Sequence, residues 1–139
     1  MVEGSAFVAA PSGGMTLAQM GAEVIRFDQL GGGIDYKRWP LTEDGISLYW
    51  NGLNRGKKSV VADLRAPEIQ NLLSELIATS GNFLTNFPSK GWLSYEKLSE
   101  KRSDLVMVSI TGSHDGTTAV DYTINCAVGI PSITGHADD

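Results

Sequence analysis

The chain has 139 residues, a net charge of −5, and 42% apolar against 19% charged residues. That is enough for one packed core, too little for two, and the composition is neither disordered nor fibrous. The acidic balance argues against a nucleic-acid partner, which needs a basic excess on one face, yet backbone N–H groups and a few cations can still hold a phosphate-bearing ligand. No apolar stretch approaches the ~20 residues of a membrane span, and no secretion-signal pattern opens the chain. Cys126 stands alone, so no internal disulfide forms and a reducing, cytoplasmic setting is expected.

Met1 to Glu3 reads as the end of a first strand. Residues 4–14 (GSAFVAAPSGG) read as a small-residue loop, and Gly13 to Met20 as a helix with Met15, Leu17 and Met20 inward and Gly21 at its end. Val24 to Asp28 is a second strand. Residues 29–56, with Gly31-Gly32-Gly33 and Trp39-Pro40, form a connection long enough to be functional or to reach another part of the molecule. Lys58 to Ala62 (KSVVA) is a β-branched run suited to a buried strand. Pro67 then fits a first helical turn, and Ile69, Leu72, Leu73, Leu76 and Ile77 make one apolar stripe. Gly81 supplies the left-handed residue that ends this helix. Phe83 to Phe87 is a fourth strand, Trp92 to Lys101 a shorter helix, and Leu105 to Ile110 a strand apolar enough to be buried on both sides. Ala119 to Val128 is one more helix, stopped by Gly129 with Pro131 beyond it.

Strands alternating with helices predict an α/β fold, a Rossmann-like parallel sheet with right-handed crossovers and helices on both faces. It forms a single domain over residues 1–139. The first strand lacks its beginning, and neither strand nor terminal helix follows the last segment, so the chain reads as an incomplete part of a larger sheet. Ligands of such sheets bind outside the carboxyl ends of the strands, where the chemistry is to be sought.

Small side chains in residues 4–14 let a ligand approach the backbone, and the helix N-terminus that follows favours an anion. Asp28 ends its strand where a dinucleotide-binding fold places its ribose acid, but Gly4, Ala6 and Ala9 only echo the G-x-G-x-x-G spacing. Close helix–sheet packing by small residues is the stronger account of them. Asn54 to Ser59 (NRGKKS) is a basic turn, either a contact for phosphate or a partner subunit or, the favoured reading, a solvated turn. At Asn86-Phe87-Pro88 a polar side chain and an aromatic can hydrogen-bond and stack on an adenine, or Phe87 can simply be buried. His114 and His136 have no metal partner at usable spacing, and no metal is expected. No nucleophile elbow or Ser–His–Asp order occurs. Asp138 and Asp139 read as a frayed end.

Taken together, GSAFVAAPSGG, GAEVIRFD, SLYWNGLNRGKKSVVADLRAPE, NFLTNF and LVMVSITG resemble the N-terminal part of the family III CoA-transferases. The run from Asn54 to Asp63, followed by Leu64 and Pro67-Glu68, and the Asn86-Phe87 pair carry most of that resemblance. Gly31 to Gly33, Asp35 to Pro40 and Gly116 to Gly129 are most similar to the mesaconyl-CoA C1–C4 transferases, which move CoA between two carboxyls of one C5 acid.

The resemblance implies a CoA-binding Rossmann-like sheet in an interlocked homodimer, acting on a CoA thioester and a carboxylic acid. It implies that Phe7, Val8 and Ala9 line the path of the CoA adenine and pantetheine, that Asn86 and Phe87 also contact CoA, and that Lys90 meets a phosphate. Gln29 stands where some members have an arginine. The family's nucleophile is an aspartate that forms a mixed anhydride and then a thioester, as suits a reaction that conserves thioester energy. By matching position it falls beyond Thr134-Gly135, so this chain is expected to supply no catalytic residue and to be inactive alone. The racemases of the family use a histidine where this sequence has Val120 beside Asp121, which suits a transferase better. Two other readings stay open: a non-catalytic CoA- or nucleotide-binding module, and a truncated chain that associates without a ligand.

Overall fold

The computed structural model describes residues 1–117 and 119–135. Five parallel strands form one sheet: β1 (Val2–Gly4), β2 (Ile25–Gln29), β3 (Lys58–Ala62), β4 (Asn82–Thr85) and β5 (Val106–Ser109). Their order is β3-β2-β1-β4-β5. This is the doubly wound order, and its direction reverses between β1 and β4, which opens a crevice at their carboxyl ends. The helices are α1 (Ala9–Gln19), α2 (Leu48–Leu53), α3 (Pro67–Ser80), α4 (Tyr95–Lys101), α5 (Asp121–Ala127) and α6 (Ile130–Ile133). The expected Rossmann-like α/β architecture is present, with each predicted strand in place to within two residues.

Side chains alternate across a strand, and the two faces of this sheet differ in chemistry. Val2, Phe27 and Phe83 pack with Leu73 and Ile77 of α3, Leu98 of α4, and Leu93 and Leu105 into the apolar core. The Phe27 and Phe83 rings stack with centroids 6.2 Å apart; burying a side chain of this size stabilises by ~1.5–3 kcal/mol. The alternate positions Glu3, Arg26 and Asp28 are equally buried but charged. Helix α1 covers that polar face at close range: a Cβ on Gly14 would fall on Oε2 of Glu3, and one on Gly13 would touch Leu84. Helix α3 begins on Pro67 and ends on Gly81 at φ 71°, as its sequence predicts.

Four expectations need correction. Helix α1 starts at Ala9 rather than Gly13, and it turns Ala10, Pro11 and Gly14 inward while Leu17 and Met20 are exposed. A charged face approached this closely leaves room only for small residues. Strands β3 and β5 are not buried on both sides: they are the sheet edges, and Val60, Val61, Val106 and Val108 are exposed. The apolar stripe of α3 is narrower than predicted, with Leu73 and Ile77 buried and Leu72 turned out. The predicted helix 92–101 is split, Gly91–Leu93 forming one 3-10 turn before Ser94 caps α4. Among the described residues no helix is long and apolar enough to cross a membrane. Thr118 of the Gly116–Gly129 stretch, His136, Asp138 and Asp139 lie outside the described residues.

Candidate functional site

The crevice at the switch point is built from the loop after β1 and the residues after β4. Asn86, just past β4, grips Ala6 from both sides: Ala6 N–H donates to Asn86 Oδ1 at 2.8 Å, and Asn86 Nδ2 donates to the Ala6 carbonyl at 2.7 Å. The Thr85 hydroxyl donates to the Gly4 carbonyl at 2.7 Å and accepts the Phe87 N–H at 2.9 Å. The Phe87 ring meets Phe27 edge-on with centroids 6.2 Å apart. Between Ser5, Ala6, Gln29, Gly33, Leu64 and Phe87 lies a cavity of about 150 Å³. A larger apolar hollow of about 400 Å³ lies at the other end of the sheet, beside Met1, Leu17, Asn82 and Val108. The smaller one occupies the position where open parallel sheets bind ligands, and it is bordered by Ser5, Ala6 and the Phe87 ring.

Beneath this loop sits a buried ionic cluster. Arg26 donates to both oxygens of Asp28 at 2.9 and 3.0 Å, to Asn54 Oδ1 at 2.9 Å and to the Ser5 carbonyl at 3.0 Å, and its Nη2 lies 3.4 Å from Asp35. Burial pushes the Arg26 guanidinium down, but the hydrogen bonds and charge of Asp28, with the charges of Asp35 and Glu3, hold it above its ordinary value. Lys57 donates to Glu3 Oε1 at 2.8 Å, to the Pro11 carbonyl at 2.8 Å and to Asn54 Oδ1 at 2.9 Å. For Lys57 burial outweighs its partners and the ammonium lies below its ordinary value. Glu3 Oε2 is buried without a hydrogen-bond partner.

This cluster corrects two sequence readings. Asp28 is 2% exposed and bidentate on Arg26, so it is not a free ribose acid. The basic turn is neither solvated nor a phosphate contact at Lys57, whose side chain is 2% exposed; Arg55 remains exposed and Lys58 pairs with Glu23. Asp35 and Asn54, which the sequence singles out only as parts of longer runs, join this buried cluster from the 29–56 connection.

The predicted ligand residues are brought together except for one. Phe7 and Val8 are exposed at the mouth of the crevice, and Ala9 opens α1, which has no side-chain cap. Asn86 and Phe87 stand opposite them. Lys90, four residues past Asn86, is exposed on the turn that leads to α4. Arg38 was missed: its guanidinium lies 5.5 Å from the Phe7 ring centroid and 4.8 Å from that of Tyr49.

A sequence model of CoA-transferase family III matches residues 1–139. The chain is 59% identical over 140 residues to a 2-methylfumaryl-CoA isomerase of Chloroflexus aurantiacus, covering 97% of this chain and 34% of that protein. It is 36% identical to a succinate–glutarate CoA-transferase of Agrobacterium fabrum, covering 99% of this chain and 38% of the relative. The crystal structure of a CAIB/BAIF family protein from Brucella suis superposes with a TM-score of 0.83 at 30% identity, over 99% of this chain and 40% of that one. The chain thus spans about a third to two-fifths of the length of the proteins it matches.

Proposed function

Because the chain belongs to CoA-transferase family III, we propose that it carries the CoA-holding sheet of an enzyme that moves CoA between the two carboxyls of one C5 dicarboxylic acid. The reading rests above all on the double hydrogen bond of Asn86 to Ala6, which fixes a crevice of backbone groups and one aromatic wall at the switch point. The N-terminus of α1 favours a phosphate there, and Phe7, Val8, Ala9 and Phe87 offer apolar surface for the adenine and pantetheine. Lys90 would meet a phosphate only at the outer rim. The relative named for 2-methylfumaryl-CoA supports a mesaconyl-type acyl group, because mesaconic acid is 2-methylfumaric acid.

The chemistry proposed is covalent exchange. An aspartate carboxylate attacks the thioester carbonyl and expels the CoA thiolate, leaving a mixed anhydride. The thiolate then attacks the aspartyl carbonyl, giving an enzyme thioester and the free diacid. The diacid's other carboxylate then attacks the aspartyl thioester and expels the CoA thiolate, and the thiolate attacks the diacid carbonyl of this second anhydride, releasing the aspartate carboxylate and completing an intramolecular transfer. Asp28 and Asp35, the carboxylates beside the crevice among the described residues, are both engaged with Arg26. By the family resemblance the nucleophile falls beyond Thr134-Gly135 and is assigned to residues outside this chain, and the 139 residues, read as one domain of a cytoplasmic homodimer, are expected to bind CoA without turnover.

The test is a thermal-unfolding titration of the purified chain with CoA, with ATP and NAD as controls. A CoA-specific stabilisation approaching ~2.7 kcal/mol at a hundredfold excess over Kd supports the reading. A cooperative melt that CoA does not move overturns it. That result would leave the second reading, a chain that associates without ligand, which the exposed valines of β3 and β5 favour.

A further inference from the structure

Among the described residues Phe7 is the one non-glycine residue with positive φ, at 61°. For an aromatic side chain this is a conformation that persists only where surrounding contacts over-determine it, and such strain concentrates at ligand clamps. The contacts here are identifiable. Every backbone polar group recorded around the bend is held by a side chain from a different part of the chain: the Ser5 carbonyl by Arg26, Ala6 N–H and carbonyl by Asn86, and Phe7 N–H by Asp35 Oδ2 at 3.0 Å. Asp35 is the contact that acts on the strained residue itself. It is 1% exposed, its other oxygen faces Arg26 Nη2 at 3.4 Å, and it belongs to the long connection after β2. Gly33 permits this approach, since a Cβ there would lie 2.6 Å from Asp28 Oδ1 and 3.1 Å from Asp35 Oδ1.

We infer that Asp35 is a positioning residue: its buried carboxylate pins the Phe7 N–H, holds Phe7 left-handed, and so sets the Phe7 ring at the mouth of the crevice against Arg38 for contact with the CoA thioester. The ligand part of this statement rests on the CoA reading above, whereas the Asp35–Phe7 part stands on geometry alone. Two carboxylates can be removed from the buried cluster with the same change of charge, because the cations that Glu3, Asp28 and Asp35 pair with are Arg26 and Lys57. Replacing either Asp35 or Glu3 by a neutral residue leaves two buried acids against two buried bases. A role limited to balancing charge would make the two replacements equivalent.

The experiment compares Asp35→Ala with Glu3→Gln in the 139-residue chain, reading the Phe7 amide by hydrogen exchange and its HN–Hα coupling by NMR, and CoA affinity by calorimetry. In the wild type and in Glu3→Gln the Phe7 amide is expected to be protected and its coupling to report positive φ. In Asp35→Ala the amide exchanges freely, φ reverts to negative values, and CoA binds about tenfold more weakly, the scale of one lost hydrogen bond to a charged group. Should Asp35→Ala fail to fold, Asp35→Leu, close to aspartate in shape and without an acceptor for the Phe7 N–H, is read in the same way. The proposal is overturned if Phe7 stays protected and left-handed in whichever Asp35 variant folds, or if Glu3→Gln releases Phe7 equally. If the wild type does not bind CoA, the CoA reading fails and the NMR arms still decide the role of Asp35.

Discussion

Asn86 and Ala6 lie 80 residues apart in sequence and exchange two hydrogen bonds, one to each backbone polar group of Ala6. Asparagine is suited to this task because a single planar amide presents an acceptor and a donor side by side, matching the N–H and carbonyl of one residue. The bond pair ties the carboxyl ends of β1 and β4 together at the place where their connections part.

Asn86→Ala is expected to leave both Ala6 groups without a protein partner and to cost ~1–3 kcal/mol in stability. Asn86→Asp should be as costly or worse, since a carboxylate keeps the acceptor for Ala6 N–H and sets a negative charge against the Ala6 carbonyl. Chemical denaturation of the three proteins checks this. An aspartate variant as stable as the wild type would show that the donor half of the grip contributes nothing.

Much of this architecture was legible in the chain itself. The β-branched runs and the Pro67-to-Gly81 helix carry local signals that tertiary packing had no reason to override. Local pattern failed where long-range partners decide. Lys57 looks like part of a solvated basic turn because Glu3 and Pro11, which hold it, are 54 and 46 residues away. Residues 9–14, with a proline and two glycines, look like a loop, and they become helical because a small-residue surface fits over Glu3. A signal was available at Asp28: Arg26, two positions earlier, lies on the same strand face and was always within reach of it. Asp35 gave none, as nothing within the 29–56 connection says which of its polar residues turns inward.

The Glu3–Lys57 pair should behave as a coupled unit. Lys57→Met removes the ammonium and leaves Glu3 buried, and loss of one member of a buried pair costs ~3–5 kcal/mol. Adding Glu3→Gln to Lys57→Met should recover part of that loss, because the remaining carboxylate is then neutral. Urea unfolding of the single and double variants measures the coupling. Strict additivity would mean that the 2.8 Å contact does not matter energetically.

The open face beside β5 should be detectable in solution. Leu17, Val106 and Val108 border the 400 Å³ apolar hollow and are all exposed, and contiguous apolar surface of this kind binds hydrophobic dyes and promotes association. The chain is expected to raise 8-anilinonaphthalene-1-sulfonate fluorescence while retaining a cooperative melt. Val108→Lys should lower that signal with little change in stability, because the residue is already half exposed (51%). A folded wild type that is silent toward the dye would mean that this face is covered.

Acid should weaken the corner where α3 ends. Arg102 donates to the carbonyls of Ala78 and Thr79 at 3.0 and 3.2 Å and to Asp104 Oδ1 at 2.9 Å. The hydrogen bond from Arg102, and then its charge, hold the Asp104 carboxyl below its ordinary value. A carboxyl whose pKa is lowered on folding binds its proton less readily in the native than in the unfolded chain. Its contribution is therefore fully present above the unfolded value, ~3.9 for aspartate, and is lost as pH falls through the lower folded value. Asp104→Asn removes this contribution at every pH. Melting midpoints of wild type and Asp104→Asn should differ by a small constant amount from neutrality down to about pH 5 and converge once pH has fallen below the lowered folded value, the gap staying small because the pair is exposed to solvent. A gap that persists undiminished at pH 2 would assign the effect of the substitution to something other than the charge of Asp104.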